Sequence, residues 1–186
     1  AIFNSSPSIT YSLLIDDGVV TISHEFYKDV GLSSVILSNT VETIGNYAFK
    51  LNHISSLTFD NDSSLSSIGS SAFRDNDITS LKIPNSVTTI GEYAFKNNSL
   101  NTLTFDNSSN LSFISGGAFG NNKITSLNIP NSVETIGYRA FFDNVSLIDV
   151  ILPFDLSNRA SAIFNNTPLP TITYSLLIDD GVVTIS

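Results

Sequence analysis

Cysteine and methionine are both absent from the 186 residues. Without cysteine there are no disulfides, thiolate nucleophiles or Cys-type zinc sites. Methionine is missing even at position 1, so the expectation is a processed chain or an internal segment. Charge is scarce too, at 13% of residues against the usual ~25%. Seventeen acidic and eight basic residues leave a net charge of −9, which argues against a nucleic-acid partner. No run of 18 apolar residues occurs, and no basic n-region precedes an apolar stretch. Neither membrane insertion nor a signal peptide is expected within this segment. The two histidines, His24 and His53, stand at unrelated places, and no nucleophile elbow, P-loop or zinc-protease motif appears. The reading is therefore no enzyme, no catalytic residue and no cofactor. What is abundant is hydrophobic sequence, 41%, too much for a disordered acidic tail.

That hydrophobic content is periodic. Ala-Phe recurs at Ala48-Phe49, Ala72-Phe73, Ala94-Phe95, Ala118-Phe119 and Ala140-Phe141, with Phe spacings of 24, 22, 24 and 22. Tyr27 and Phe3 continue the series toward the amino end, and Phe164 continues it toward the carboxyl end. Eight residues after each aromatic comes an apolar-x-apolar triplet: Val35-Ile36-Leu37, Leu57-Thr58-Phe59, Leu81-Lys82-Ile83, Leu103-Thr104-Phe105, Leu127-Asn128-Ile129 and, one residue late, Val150-Ile151-Leu152. Alternation of this kind predicts a short strand with one buried face. A second apolar pair follows, such as Val87/Ile90, then a glycine turn and the next Ala-Phe. Alternate units turn through Ile83-Pro84 or Ile129-Pro130, where proline ends the strand, or through the longer loops after Phe59 and Phe105.

One such unit cannot bury its own apolar face, but stacked units can. The predicted fold is mainly β: a solenoid with a parallel sheet, about eight rungs of 22 or 24 residues, and short turns or 3-10 segments. Phe49, Phe73, Phe95, Phe119 and Phe141 are expected to stack inside it. Asn52, Asn76, Asn98, Asn122 and Asn144 each fall three places after an aromatic. Their amides can satisfy backbone groups along the turn, so they read as a structural ladder.

The stretch from Ile78 to Asn98, with Ile83-Pro84-Asn85-Ser86-Val87 and Ile90-Gly91-Glu92-Tyr93-Ala94-Phe95, resembles the BspA-like class of leucine-rich repeats, as does Ile124 to Phe141. The resemblance spans about residues 28–152. Asn replaces the Cys often found in that family, and Phe-Asp-Asn replaces Ile-Pro in alternate units. It implies the leucine-rich-repeat solenoid and an extracellular, cell-surface bacterial (or protist) protein used for attachment, and it carries over no catalytic residue.

Residues 9–23 are identical to residues 172–186, an offset of 163. The chain is thus read as a single solenoid over 1–186, one 163-residue module plus a 23-residue overlap from a longer tandem array. Leu176 to Ile185 are expected to form an ordinary rung with no cap behind it. The favoured function is a structural segment of a fibrous or multi-module surface protein whose partners are further copies end to end. The alternative is an adhesin module that binds a host or matrix protein or a glycan.

Lys28, Lys50, Arg74 and Lys96 each follow a repeat aromatic and line one edge, where they offer a basic row to a partner. Thr58, Lys82, Thr104 and Asn128 are expected on the outward face of the main sheet. A solvated edge and a plain hydroxyl ladder are the competing readings. Asp60, Asp62, Asp75 and Asp77 present the oxygens calcium favours, but without the Gly and bidentate Glu of an EF-hand. They are read as acidic loop tips, with no metal site assigned.

Overall fold

A computed structural model of the chain describes residues 10–106, 108–165, 170–178 and 181–185. Phe3, expected to continue the aromatic series, lies outside them.

The chain winds as a parallel β-solenoid. Each of the first six described coils contributes two strands. On the main face these are β1 (Tyr11–Ile15), β3 (Leu32–Leu37), β5 (Ser56–Phe59), β7 (Ser80–Ile83), β9 (Thr102–Phe105) and β11 (Ser126–Asn128). On a second face they are β2 (Thr21–Ile22), β4 (Thr43–Ile44), β6 (Ser67–Ile68), β8 (Thr89–Ile90), β10 (Phe113–Ile114) and β12 (Thr135–Ile136). The seventh coil holds β13 (Asp149–Pro153), a 3-10 turn (Phe154–Arg159) and the short helix α1 (Ala160–Phe164). The predicted triplets are the main-face strands, and their apolar positions turn inward because strand side chains alternate. The second-face strands are two residues long, too short for periodicity to reveal.

The second face is one continuous six-stranded sheet. The main face is not: β1-β3-β5, β7-β9 and β11-β13 form separate ladders. Both breaks fall where a coil with the longer loop meets a coil that turns at Ile-Pro. The Asp60 N–H donates to Leu37 O at 2.9 Å, whereas Pro84, at the same place one coil later, has no N–H to give.

A third ladder runs along the Ala-Phe edge. Backbone φ is positive two residues before and two after the aromatic, as at Tyr47 and Leu51 or Tyr93 and Asn97. This alternation sends the Tyr47, Phe49 and Leu51 N–H groups to Ser70, Ala72 and Arg74 carbonyls of the next coil at 2.9, 2.8 and 3.0 Å. Left-handed backbone at non-glycine residues is costly, and the ladder on both sides holds it in place. The turn glycines answer a different need. A Cβ on Gly91 would lie 2.6 Å from the Gly69 carbonyl carbon, and one on Gly69 equally close to Gly45. The glycines form a column in which backbones touch.

Inside, Tyr27, Phe49, Phe73, Phe95, Phe119 and Phe141 stack nearly parallel, with centroids 5.0 to 5.4 Å apart, and Phe164 closes the row at 6.0 Å with a tilt. The third ladder uses the Phe N–H but leaves its carbonyl pointing inward. The asparagines take it. Asn98 Nδ2 donates to Phe95 O (3.1 Å) and to Phe73 O of the preceding coil (2.9 Å), while its Oδ1 accepts from Ile78 N (3.1 Å). Asn52, Asn76, Asn122 and Asn144 repeat the arrangement.

The carboxyl end departs from expectation. Leu176 to Ile185 do not form a rung. β14 (Thr171–Ile178) pairs in parallel with β13 and then antiparallel with β15 (Gly181–Ile185) in a hairpin. The solenoid therefore makes seven described turns. The segment has β13 on one side and finds its other partner in itself, so both edges of β14 are paired.

Candidate functional site

The first break in the main face opens a cleft of about 540 Å3 between the coils of β5 and β7. Its walls include Leu57, Thr58 and Phe59 from one coil and Lys82 from the next, with Asp60 and Asp106 at the rim. Leu57 and Phe59, expected in the core, are only half-buried, whereas Leu81 and Ile83 across the break are fully buried. The break has partly uncovered them.

Electrostatics divide this rim. Lys82 Nζ lies 3.0 Å from Asp106 Oδ2, and the Ser108 N–H and hydroxyl donate to Oδ1 at 3.3 and 3.2 Å. The Lys82 bond, with the Ser108 N–H next, holds the Asp106 carboxyl below its usual range. A carboxylate shifted down stabilises the fold above its unfolded pKa, and that contribution disappears as pH falls through the lowered value. In Lys82→Ala the Asp106 carboxyl is expected to titrate higher, nearer an ordinary aspartate, as read by NMR titration. An unchanged titration would assign the shift to Ser108 alone. Asp60 Oδ1 accepts from the Asn61 N–H at 2.8 Å.

Thr58, Lys82, Thr104 and Asn128 are all exposed, but the breaks divide them. Thr58 is in register with Ile36, Lys82 with Thr104, and Asn128 with Ile151. The basic row is largely engaged with its own neighbours. Lys28 pairs with Glu25 at 2.7 Å, a contact that keeps the Glu25 carboxyl low. Arg74 Nε is 3.2 Å from Asp75. Lys50 sits over Tyr47, and Lys96 lies between the Tyr93 and Phe142 rings at 5.1 and 5.2 Å. Among the described residues, no three His, Cys, Asp or Glu side chains are placed to hold a metal. Asp75 and Asp77 are turned to other partners, Arg74 and Asn97 for the first and His53 for the second.

Sequence reasoning missed the cleft, since nothing in a coil's own residues states that its neighbour has moved away. The coincidence of a longer loop with a following Ile-Pro was the available signal.

Parallel coils on a repeating consensus, with an interior aromatic row, define a leucine-rich-repeat solenoid. The model of the BspA type leucine rich repeat region matches residues 1–111 and 66–180, with six copies, and the chain belongs to that family. No curated protein sequence matches. Among solved structures the chain is similar to the pneumococcal vaccine antigen PcpA, with 29% identity and a TM-score of 0.66 over 74% of this chain and 36% of that one. It also shares its fold with a leucine rich cell surface protein from Faecalibacterium prausnitzii (19% identity, TM-score 0.54, 93% and 54% covered). A leucine-rich repeat protein from Eubacterium ventriosum does so too (16%, 0.56, 77% and 54%). The chain thus spans about a third to a half of the proteins it resembles. No helix among the described residues is long and apolar enough to cross a membrane.

Proposed function

We propose that this chain is a structural segment of a bacterial surface protein, a rod built by continuing one solenoid from copy to copy. The observation that carries this reading is the 15-residue identity between 9–23 and 172–186: the segment that forms the first described coil occurs again after the last one. The first coil presents exposed Val19, Val20, Phe26 and Val30, apolar surface suited to a preceding coil. The surface setting is supported by the similarity to the leucine rich cell surface protein of F. prausnitzii. Seven coils per 163 residues at ~4.8 Å each predict about 34 Å of rod per copy. Electron microscopy of tandem arrays of two, three and four copies tests it. Straight rods lengthening by that increment are expected; jointed beads would defeat the reading.

A second reading is favoured by the cleft. A surface module that binds a host protein or glycan would use the half-buried Leu57 and Phe59 and the Asp60 rim. Asp60→Lys should then abolish attachment to host cells while leaving rods intact, whereas reversing the already engaged Lys50 and Arg74 should change attachment less.

A further inference from the structure

The described residues of the identical segments 9–23 and 172–186 occupy two different structures. In the first, Leu13 pairs with Val35 and Leu14 with Ile36 along β3, and after a turn at Gly18 (φ +92) Thr21-Ile22 pair with Thr43-Ile44. In the second, Leu177 pairs with Val182 and Leu176 with Val183 across a hairpin. Asp-Asp-Gly suits either outcome, a coil corner or a tight antiparallel turn. The difference therefore lies in what surrounds the segment.

The coil that follows the first copy carries a set of hydroxyl contacts directed at it. Ser34 Oγ meets Ser12 Oγ at 2.8 Å, and Ser33 Oγ donates to Tyr11 O at 3.2 Å. At the corner, Ser38 Oγ donates to Asp16 O (3.2 Å), while Thr40 Oγ1 donates to Val19 O (3.1 Å) and accepts from the Gly18 N–H (3.1 Å). The Ser38 contact is not repeated in the next two coils, where Asp60 and Pro84 replace Ser38, while the Thr40–Val19 contact recurs further along as Ser132 Oγ donating to Leu111 O at 2.8 Å. Residues 32–44 combine these hydroxyl contacts, with Ser38 and Thr40 both engaging the Asp16–Val19 corner.

We propose that residues 172–186 are a two-state junction: a hairpin when no coil follows, and the first rung of a second copy when that copy's Leu32–Ile44 coil is supplied behind them. The partner is a second copy of this chain, recognised by the Ser33, Ser34, Ser38 and Thr40 hydroxyls together with the β3 and β4 edges. The proposal rests on the reading that copies follow one another, and it says how they join. The hairpin covers a free end with its own strand, and the rung form exchanges those antiparallel bonds for parallel ones to the newcomer. The equilibrium shifts because only the rung form contacts the second copy.

The absence of cysteine makes disulfide trapping clean. The chain is extended by a second copy of residues 24–186, so that residues 172–186 are followed by a complete receptor coil. Two pairs are compared: Leu177→Cys with Ile36→Cys of the second copy, which closes in the rung, and Leu177→Cys with Val182→Cys, which closes in the hairpin. Leu14→Cys with Ile36→Cys in the single chain is the control; these positions are 61% and 46% exposed, and parallel neighbours lie within disulfide reach. In the single chain the hairpin pair should oxidise. In the tandem the rung pair should oxidise instead, with hairpin closure reduced about tenfold or more, the mark of a shifted two-state equilibrium. Hairpin closure undiminished in the tandem, or no rung closure there, would overturn the proposal. Its failure is separable from that of the rod: straight rods with a persistent hairpin refute the junction only, and jointed beads with rung closure refute the rod only.

Discussion

Asn98→Leu is expected to destabilise the solenoid by about 1 to 3 kcal/mol, read as a fall in the urea midpoint. The substitution keeps the branched shape but leaves Ile78 N without its partner and removes one of the two donors to each of Phe73 O and Phe95 O, which keep Asn76 and Asn122. Each buried orphan costs about 1–3 kcal/mol, and a domain of this size has only about 5–15 kcal/mol to lose. Asn98→Asp separates the polar loss from any packing change. Its charged form would face two carbonyls, so its folded pKa is raised. Relative to wild type, that variant should recover stability below the usual aspartate range and lose it as pH rises through the raised value. Insensitivity of the Asp variant to pH, or a Leu variant as stable as wild type, would show that water serves these groups equally well. Asn85→Ala, on an exposed turn, is the control and should cost little.

Phe95→Ala should have a larger effect by another route. Phe95 is fully buried between Phe73 at 5.2 Å and Phe119 at 5.4 Å. Truncating a buried Phe costs about 3–5 kcal/mol through lost transfer energy and the cavity left behind. In a quasi-one-dimensional array each coil is stabilised mainly by its two neighbours, so a gap at the centre weakens the coupling between the halves. Two separated unfolding transitions, or one with a reduced dependence on urea, are the expected signature. The same change at Phe164, which meets Phe141 at 6.0 Å with a 32° tilt near the carboxyl end of the row, should lower stability without splitting the transition. A single sharp transition in the Phe95→Ala protein would mean that the backbone ladders alone keep the array cooperative.

Both effects concern residues that could be picked out from the chain itself, and the reason is the repeat. A position that recurs five times shows its character by recurrence: the asparagine three places after the aromatic, or the apolar-x-apolar triplet eight places after it. Which groups Asn98 bonds to was less legible. That depended on the positive φ at Tyr93 and Asn97, which commits the Phe95 N–H to the ladder and turns its carbonyl inward. The candidate binding residues fared differently. Lys28, Lys50, Arg74 and Lys96 lie along one edge by spacing alone, but their engagement with Glu25, Tyr47, Asp75, Tyr93 and Phe142 depends on neighbours within and between coils. The cleft beside Lys82 was not legible, because it is a failure of pairing between two coils that each look regular.

By itself the sequence determined the period, the inward and outward alternation, and the aromatic and asparagine rows, since each follows from the residues of one coil and the rule that identical coils stack. Only the tertiary structure decided where the main sheet breaks and how 172–186 folds. Those outcomes depend on the neighbour a strand finds: Pro84 withholds an N–H from the coil before it, and the repeated sequence that pairs with β3 and β4 near the amino end pairs with β13 and with itself near the carboxyl end. Backbone groups must be paired by something, and which partner is at hand is a property of the assembled solenoid.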